Sequence, residues 1–117
     1  MLSIYGIPNC DTIKKVTKWL DGKKIEHTLH NYRKDGISRQ KLEEWLKQQP
    51  LEKILNKAST TWKELSEKEK ESAASPEGAI TLMMAHPTAI KRPVIEDQKG
   101  KVLAVGFKEA EYEKIFR

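Results

Sequence analysis

No disulfide can form inside this chain, because Cys10 is the single cysteine among its 117 residues. The fold must rest on an ordinary apolar core, and a chain of this length can build one as a single domain spanning 1–117. Long apolar runs are also missing. The stretch Met1-Leu2-Ser3-Ile4-Tyr5 has no basic lead-in, and Gly6 and Pro8 interrupt it. It reads as neither a secretory signal nor a membrane span. A lone thiol without a disulfide framework suits a reducing compartment, so the expected location is the cytoplasm, with no membrane partner. Aromatic residues are scarce at 7% and form no nucleic-acid-binding motif. Trp19, Trp45 and Trp62 fit helical packing stripes instead, so no direct nucleic-acid contact is expected. Long blocks of one charge are absent too. The net charge is +5, yet lysine and glutamate interleave, as from Glu64 to Glu71, which is the pattern of solvated helix faces. The modest positive excess still attracts small anions.

What is present is a sequence of short, well-punctuated elements. Leu2 to Gly6 reads as a buried strand. Asp11 to Leu20 reads as a helix, with Ile13, Val16 and Leu20 at helical spacing and Asp21-Gly22 as its end. Ile25 to Tyr32 is a second strand with Ile25 and Leu29 as its apolar members. Ser38 can cap a helix bearing Leu42, Trp45 and Leu46 that stops at Pro50. Leu51, Ile54 and Leu55 suggest a further turn. Thr61-x-x-Glu64 and Ser66-x-x-Glu69 have capping-box spacing, and Ser75-Pro76 supplies a cap and an N1 proline. That last helix must end near His86-Pro87. Val94-Ile95 and Val102 to Val105, separated by the polar turn Asp97 to Lys101, read as a hairpin, and Lys108 to Phe116 as a closing helix. The order is β-α-β, a helical block, then β-β-α. A parallel pair and a hairpin combine into one four-stranded mixed sheet, giving an α/β, thioredoxin-like fold with a helical insertion between its halves.

Cys10 falls where the first strand turns into the first helix. A thiol there is either a buried structural side chain or a reactive one. The helix N-terminus favours thiolate over thiol, and the thiolate is the nucleophile. Asn9 and Thr12 can hydrogen-bond nearby, and Lys14 and Lys15 add positive charge that Asp11 opposes. Position 13 is Ile, so a Cys-x-x-Cys pair is absent and any redox cycle needs an outside thiol. In a thioredoxin-like fold, a proline before the third strand packs beside the active cysteine in the cis form, which makes Arg92–Pro93 the expected cis bond. Arg92 is either a surface residue ending a loop or a forked donor aimed at an anion near Cys10. His27 and His30, three apart on a strand, face opposite sides, so no metal site is expected. His86 reads as a helix-end residue.

Gly6-Ile7-Pro8-Asn9-Cys10-Asp11-Thr12-Ile13-Lys14-Lys15 and Ile90-Lys91-Arg92-Pro93-Val94 together resemble the bacterial arsenate reductase-like proteins (the ArsC/Spx/MgsR family), most closely their YffB-type branch. The resemblance runs along essentially the whole chain and includes Asn56 and Thr60-Thr61-Trp62. Two such motifs are far more specific than one cysteine, and they turn the reading of Cys10 from structural to reactive.

The resemblance implies a nucleophilic Cys10 and an oxyanion-contacting Arg92 as catalytic residues. Asn9, Thr12, Lys14 and Pro93 would then shape and charge the substrate pocket. It implies a glutathione-dependent thiol oxidoreductase with no tightly bound cofactor, glutathione as co-substrate and a glutaredoxin as a possible partner. Arsenate reductases of the family use further arginines, and the matching positions here are Asn56, beside Lys57, and the apolar Val102 to Val105 strand with Gly106. That departure counts against arsenate as substrate. Spx-type relatives bind RNA polymerase and carry a Cys-x-x-Cys switch, which Ile13 removes here. The runner-up readings are thus an RNA polymerase-binding regulator and a glutaredoxin-linked arsenate reductase.

Overall fold

The structure is a computed structural model that describes residues 1–8 and 10–116. In chain order the elements are β1 (Leu2–Gly6), α1 (Asp11–Gly22), β2 (His27–Asn31), α2 (Tyr32–Asp35), α3 (Arg39–Gln48), α4 (Leu51–Ile54), α5 (Thr60–Lys63), α6 (Glu67–Ser72), α7 (Pro76–Ala85), a 3₁₀ turn (Pro87–Ala89), β3 (Val94–Glu96), β4 (Val102–Val105) and α8 (Glu109–Ile115). The residues group into two compact units, one formed by the chain up to Tyr32 with the chain from Arg92 on, the other by residues 33–91.

The first unit holds one four-stranded sheet of order β2-β1-β3-β4. The β1–β2 pair is parallel and the other two pairs are antiparallel, so the sheet is mixed as expected and the fold is thioredoxin-like. Side chains alternate across the sheet. Ile4 and Ile95, paired in register, lie on one face and pack with Ile13, Val16 and Leu20 of α1 and with Tyr112 of α8. Tyr5 and its partner Val94 point to the other face. The hairpin turn is held by the Asp97 carboxylate, which accepts the Lys99 and Lys101 N–H groups at 2.8 and 3.0 Å. Those bonds, the one from Lys101 foremost, hold the Asp97 carboxyl below the usual carboxylate range.

Helix α2 and the 3₁₀ turn were not expected from the sequence, and three of the expected elements differ in detail. Strand β2 is shorter than 25–32 and lies at the sheet edge, so Leu29 stays 38% exposed instead of joining the core. Helix α5 begins at Thr60 under a Ser59 cap, whose hydroxyl accepts the Trp62 N–H. Thr61 is therefore inside the helix, and Thr61-x-x-Glu64 is not a capping box. The Ser66–Glu69 box does form, and Ser38 and Ser75 cap α3 and α7.

The third difference is the end of α1. Gly22 is still helical, and Lys24 takes the left-handed conformation at φ 59°. Lys24 N–H reaches the Asp21 carbonyl and Ile25 N–H the Leu20 carbonyl, each at 3.0 Å, so the helix closes as a Schellman motif with Ile25 packed on the core. A side chain in that conformation costs about 1 kcal/mol that glycine avoids. Lys24→Gly is expected to stabilise the chain by about 1 kcal/mol, a melting-temperature rise of roughly 4 °C. A melting temperature that stays level or falls would contradict this account of the cap.

The second unit is helical. Leu42 and Trp45 of α3, Ile54 of α4 and Ala79, Ile80, Leu82 and Met83 of α7 are among its buried apolar residues. Leu55 and Ile90 form an antiparallel bridge there.

Candidate active site

Short local geometry delivers Cys10 to the start of α1. Ile7 is buried and anchors the connection from β1. Gly6 lies so close to α1 that a β-carbon on it would overlap the Ile13 side chain, so glycine is what lets strand and helix approach. Cys10 is the N-cap residue of α1, with extended backbone (φ −89°, ψ 130°). Its N–H donates to the Ile7 carbonyl and its carbonyl accepts the Lys14 N–H, both at 3.1 Å. Its side chain makes no capping hydrogen bond, unlike the serine caps of α3 and α7. Cys10 is half-buried and packs against the core cluster of the first unit.

Strand directions decide what else meets it. β1 and β2 run parallel and β3 runs against β1, so the end of β1, the end of β2, the start of β3 and the end of β4 share one edge of the sheet. Cys10 follows β1 at that edge, Tyr32 follows β2, Arg92–Pro93 precede β3, and Gly106 follows β4. The Arg92–Pro93 bond is cis, as expected from the fold. Pro93 is buried and Arg92 half-buried. The Pro93 carbonyl accepts the Gly106 N–H at 2.8 Å, and the Gly106 carbonyl accepts the Tyr112 hydroxyl at 2.7 Å. Gly106 needs its φ of +80° to make that turn. Burial, and secondarily the Glu111 charge, push the Tyr112 phenol well above its ordinary value, so it stays a neutral donor.

The topology thus brings Cys10, Arg92 and Pro93 to one edge. Thr12 is half-buried in the first turn of α1, and Lys14 is exposed on the same helix. Asn9 lies outside the described residues. In the second unit, Asn56 is engaged locally: its side-chain oxygen accepts the Ala58 N–H at 3.1 Å, and its own N–H donates to the Ala89 carbonyl at 2.7 Å. His86 ends α7 with its ring 3.4 Å from the Glu69 carboxylate. His27 and His30 do not converge. The His27 ring contacts the Ile25 carbonyl at 3.0 Å, whereas the His30 ring packs 4.7 Å from that of Tyr5. Among the described residues no group of three or more His, Cys, Asp or Glu can hold a metal ion, and no helix is long and apolar enough to cross a membrane.

Sequence reasoning missed a buried polar cluster on the Tyr5 face of the sheet. Glu96 is only 4% exposed, and its carboxylate accepts the Tyr5 hydroxyl at 2.9 Å. Tyr32 is buried beside them, its ring 6.3 Å from that of Tyr5. The available signal was parity: Glu96 is two residues beyond Val94 on one strand, so it shares the covered face.

The chain matches the description "ArsC family" over residues 5–115. It belongs to that family. An uncharacterized protein of Haemophilus influenzae is 45% identical over 99% of each chain. The global transcriptional regulator Spx 2 of Bacillus cereus is 25% identical, over 97% of this chain and 86% of that one. Among solved structures, the YffB protein superposes with a TM-score of 0.91 at 37% identity over 100% of both chains. An arsenate reductase (ArsC) related protein of Brucella melitensis gives 0.76 at 43% identity, covering 99% of this chain and 94% of that one. These ArsC-family likenesses agree with the YffB-type resemblance of the two sequence motifs and with the arsenate reductase-like fold.

Proposed function

We propose that this chain is a glutathione-dependent thiol oxidoreductase with Cys10 as its only nucleophile. The observation that supports the reading most is the placement of a half-buried cysteine at a helix N-terminus and of Arg92–Pro93 at the same sheet edge. The Cys10 thiolate attacks one sulfur of oxidised glutathione. That S–S bond breaks, a Cys10–glutathione disulfide forms, and the other glutathione leaves as a thiolate with the electron pair. A second thiolate, from glutathione or a glutaredoxin, then attacks the adduct and frees Cys10. Arg92 binds a glutathione carboxylate through its forked donors, Pro93 walls the pocket, and Asn9, Thr12 and Lys14 take part in substrate binding.

Mass spectrometry after exposure to oxidised glutathione, with 2-hydroxyethyl disulfide as the neutral comparison, tests this. One adduct per chain is expected, formed faster with glutathione than with the neutral disulfide. Arg92→Ala is expected to slow glutathione uptake about tenfold or more while the chain stays folded. Ready reaction with the neutral disulfide and none with glutathione would refute the mechanism.

The likeness to Spx 2 supports a second reading, an RNA polymerase-binding regulator. Ile13 counts against its redox form, because that side chain is 2% exposed and fills the core where a switch would need a second cysteine. Co-purification with RNA polymerase separates the two readings.

A further inference from the structure

Among the described residues, the buried side-chain oxygen or nitrogen without a hydrogen-bond partner is the Tyr32 hydroxyl. Tyr32 is 1% exposed. An unpaired buried hydroxyl costs stability, and phenylalanine would fill the same space without that cost. Packing alone therefore does not account for the oxygen. Its place in the fold does. Tyr32 directly follows Asn31, which pairs with Gly6 of β1, and Arg92 stands two residues before Val94, which pairs with Tyr5. The Tyr32 ring lies 6.3 Å from that of Tyr5, on the face shared with Val94 and Glu96. Burial, and after it Tyr5, raise the Tyr32 phenol well above its ordinary value, and the Arg92 charge acts on it in the opposite sense.

We propose that Tyr32 is a positioning residue: its hydroxyl oxygen accepts a hydrogen bond from the Arg92 guanidinium when Arg92 engages an anion beside Cys10. The inference rests on the reading of Arg92 as an anion contact. A guanidinium has five N–H donors in a fixed plane, and a bidentate anion uses two, so another donor is available to fix the orientation of the fork. A phenol suits that task better than a carboxylate would. It accepts the bond without cancelling the charge that the anion needs, and burial keeps it neutral.

Because Cys10 is the only thiol, alkylation reports on this site alone. The rates of Cys10 with anionic iodoacetate and neutral iodoacetamide are to be compared in the wild type, Tyr32→Phe, Arg92→Ala and the double variant, with thermal melting of each. In every case the thiolate displaces iodide. Tyr32→Phe is expected to lower the iodoacetate-to-iodoacetamide ratio about fivefold, with the melting temperature level or raised. The double variant is expected to show no lower ratio than Arg92→Ala alone, since Tyr32 acts through Arg92. A ratio that falls in Arg92→Ala but is unchanged in Tyr32→Phe overturns the inference and leaves the anion contact standing. A ratio indifferent to Arg92→Ala overturns both. A lowered melting temperature in Tyr32→Phe with both rates changed in parallel assigns the hydroxyl a structural role and also overturns the inference.

Discussion

Given arsenate, glutathione and a glutaredoxin, this chain is expected to turn over about 10⁴-fold or more slowly than an arsenate reductase with its full set of oxyanion-holding arginines. One lost oxyanion donor costs about 10²–10³ in rate, and two positions that the family resemblance assigns to arginine carry none here. One is Asn56, whose side-chain oxygen already holds the Ala58 N–H. The other is the segment Val102 to Val105 with Gly106, which pairs with β3 and turns back toward Pro93. Asn56→Arg alone is expected to restore little, because it supplies one donor, removes a local hydrogen bond and leaves the second position unfilled. Steady-state assays of arsenate-dependent thiol consumption decide the matter. Turnover equal to a dedicated arsenate reductase would show that Arg92 and the lysine-rich surface suffice for the oxyanion.

Cys10→Ser is expected to abolish the glutathione adduct outright, with no residual modification elsewhere. A hydroxyl at the N-cap is a poor nucleophile at neutral pH and has no sulfur to share in a disulfide. The same change should preserve the fold or stabilise it, since serine is a preferred N-cap residue and can accept the first-turn N–H bonds that Cys10 leaves unused. The gain from such a cap is about 1 kcal/mol. Mass spectrometry and thermal melting of the same preparation separate the outcomes. Loss of the adduct with a retained or raised melting temperature identifies a cysteine kept for chemistry. Loss of both would mark Cys10 as structural, and its half-buried contact with the core is what that alternative would rest on.

Much of the fold could be read locally, and particular residues show why. Ser38, Ser66 and Ser75 cap the helices assigned to them because an N-cap bond reaches only a few residues along the chain. The hairpin around Asp97 and the placement of Cys10 at the start of α1 are equally local. The end of α1 was not legible. Gly22 has the left-handed freedom, but the packing of half-buried Ile25 on the core cluster that holds Leu20 carries the chain two residues further and makes Lys24 take the turn. Leu29 looks like a core residue in its own segment and is exposed because β2 lies at the sheet edge.

The functional site divides along the same line. The groups available for chemistry follow from the order of residues alone: a single thiol at a strand-to-helix junction, no partner cysteine at Ile13, and an arginine next to a proline. Which of them meet depends on the folded sheet. Strand order and direction bring the start of β3 to the end of β1, so Arg92–Pro93 and Cys10 share an edge despite the length of chain between them. The same pairing buries Glu96 against Tyr5 and leaves the Tyr32 hydroxyl without a partner beside them. The physical reason is range. Caps and turns are set by hydrogen bonds between near neighbours, whereas burial and charge pairing depend on which strands lie side by side, and that is fixed only when the whole sheet forms.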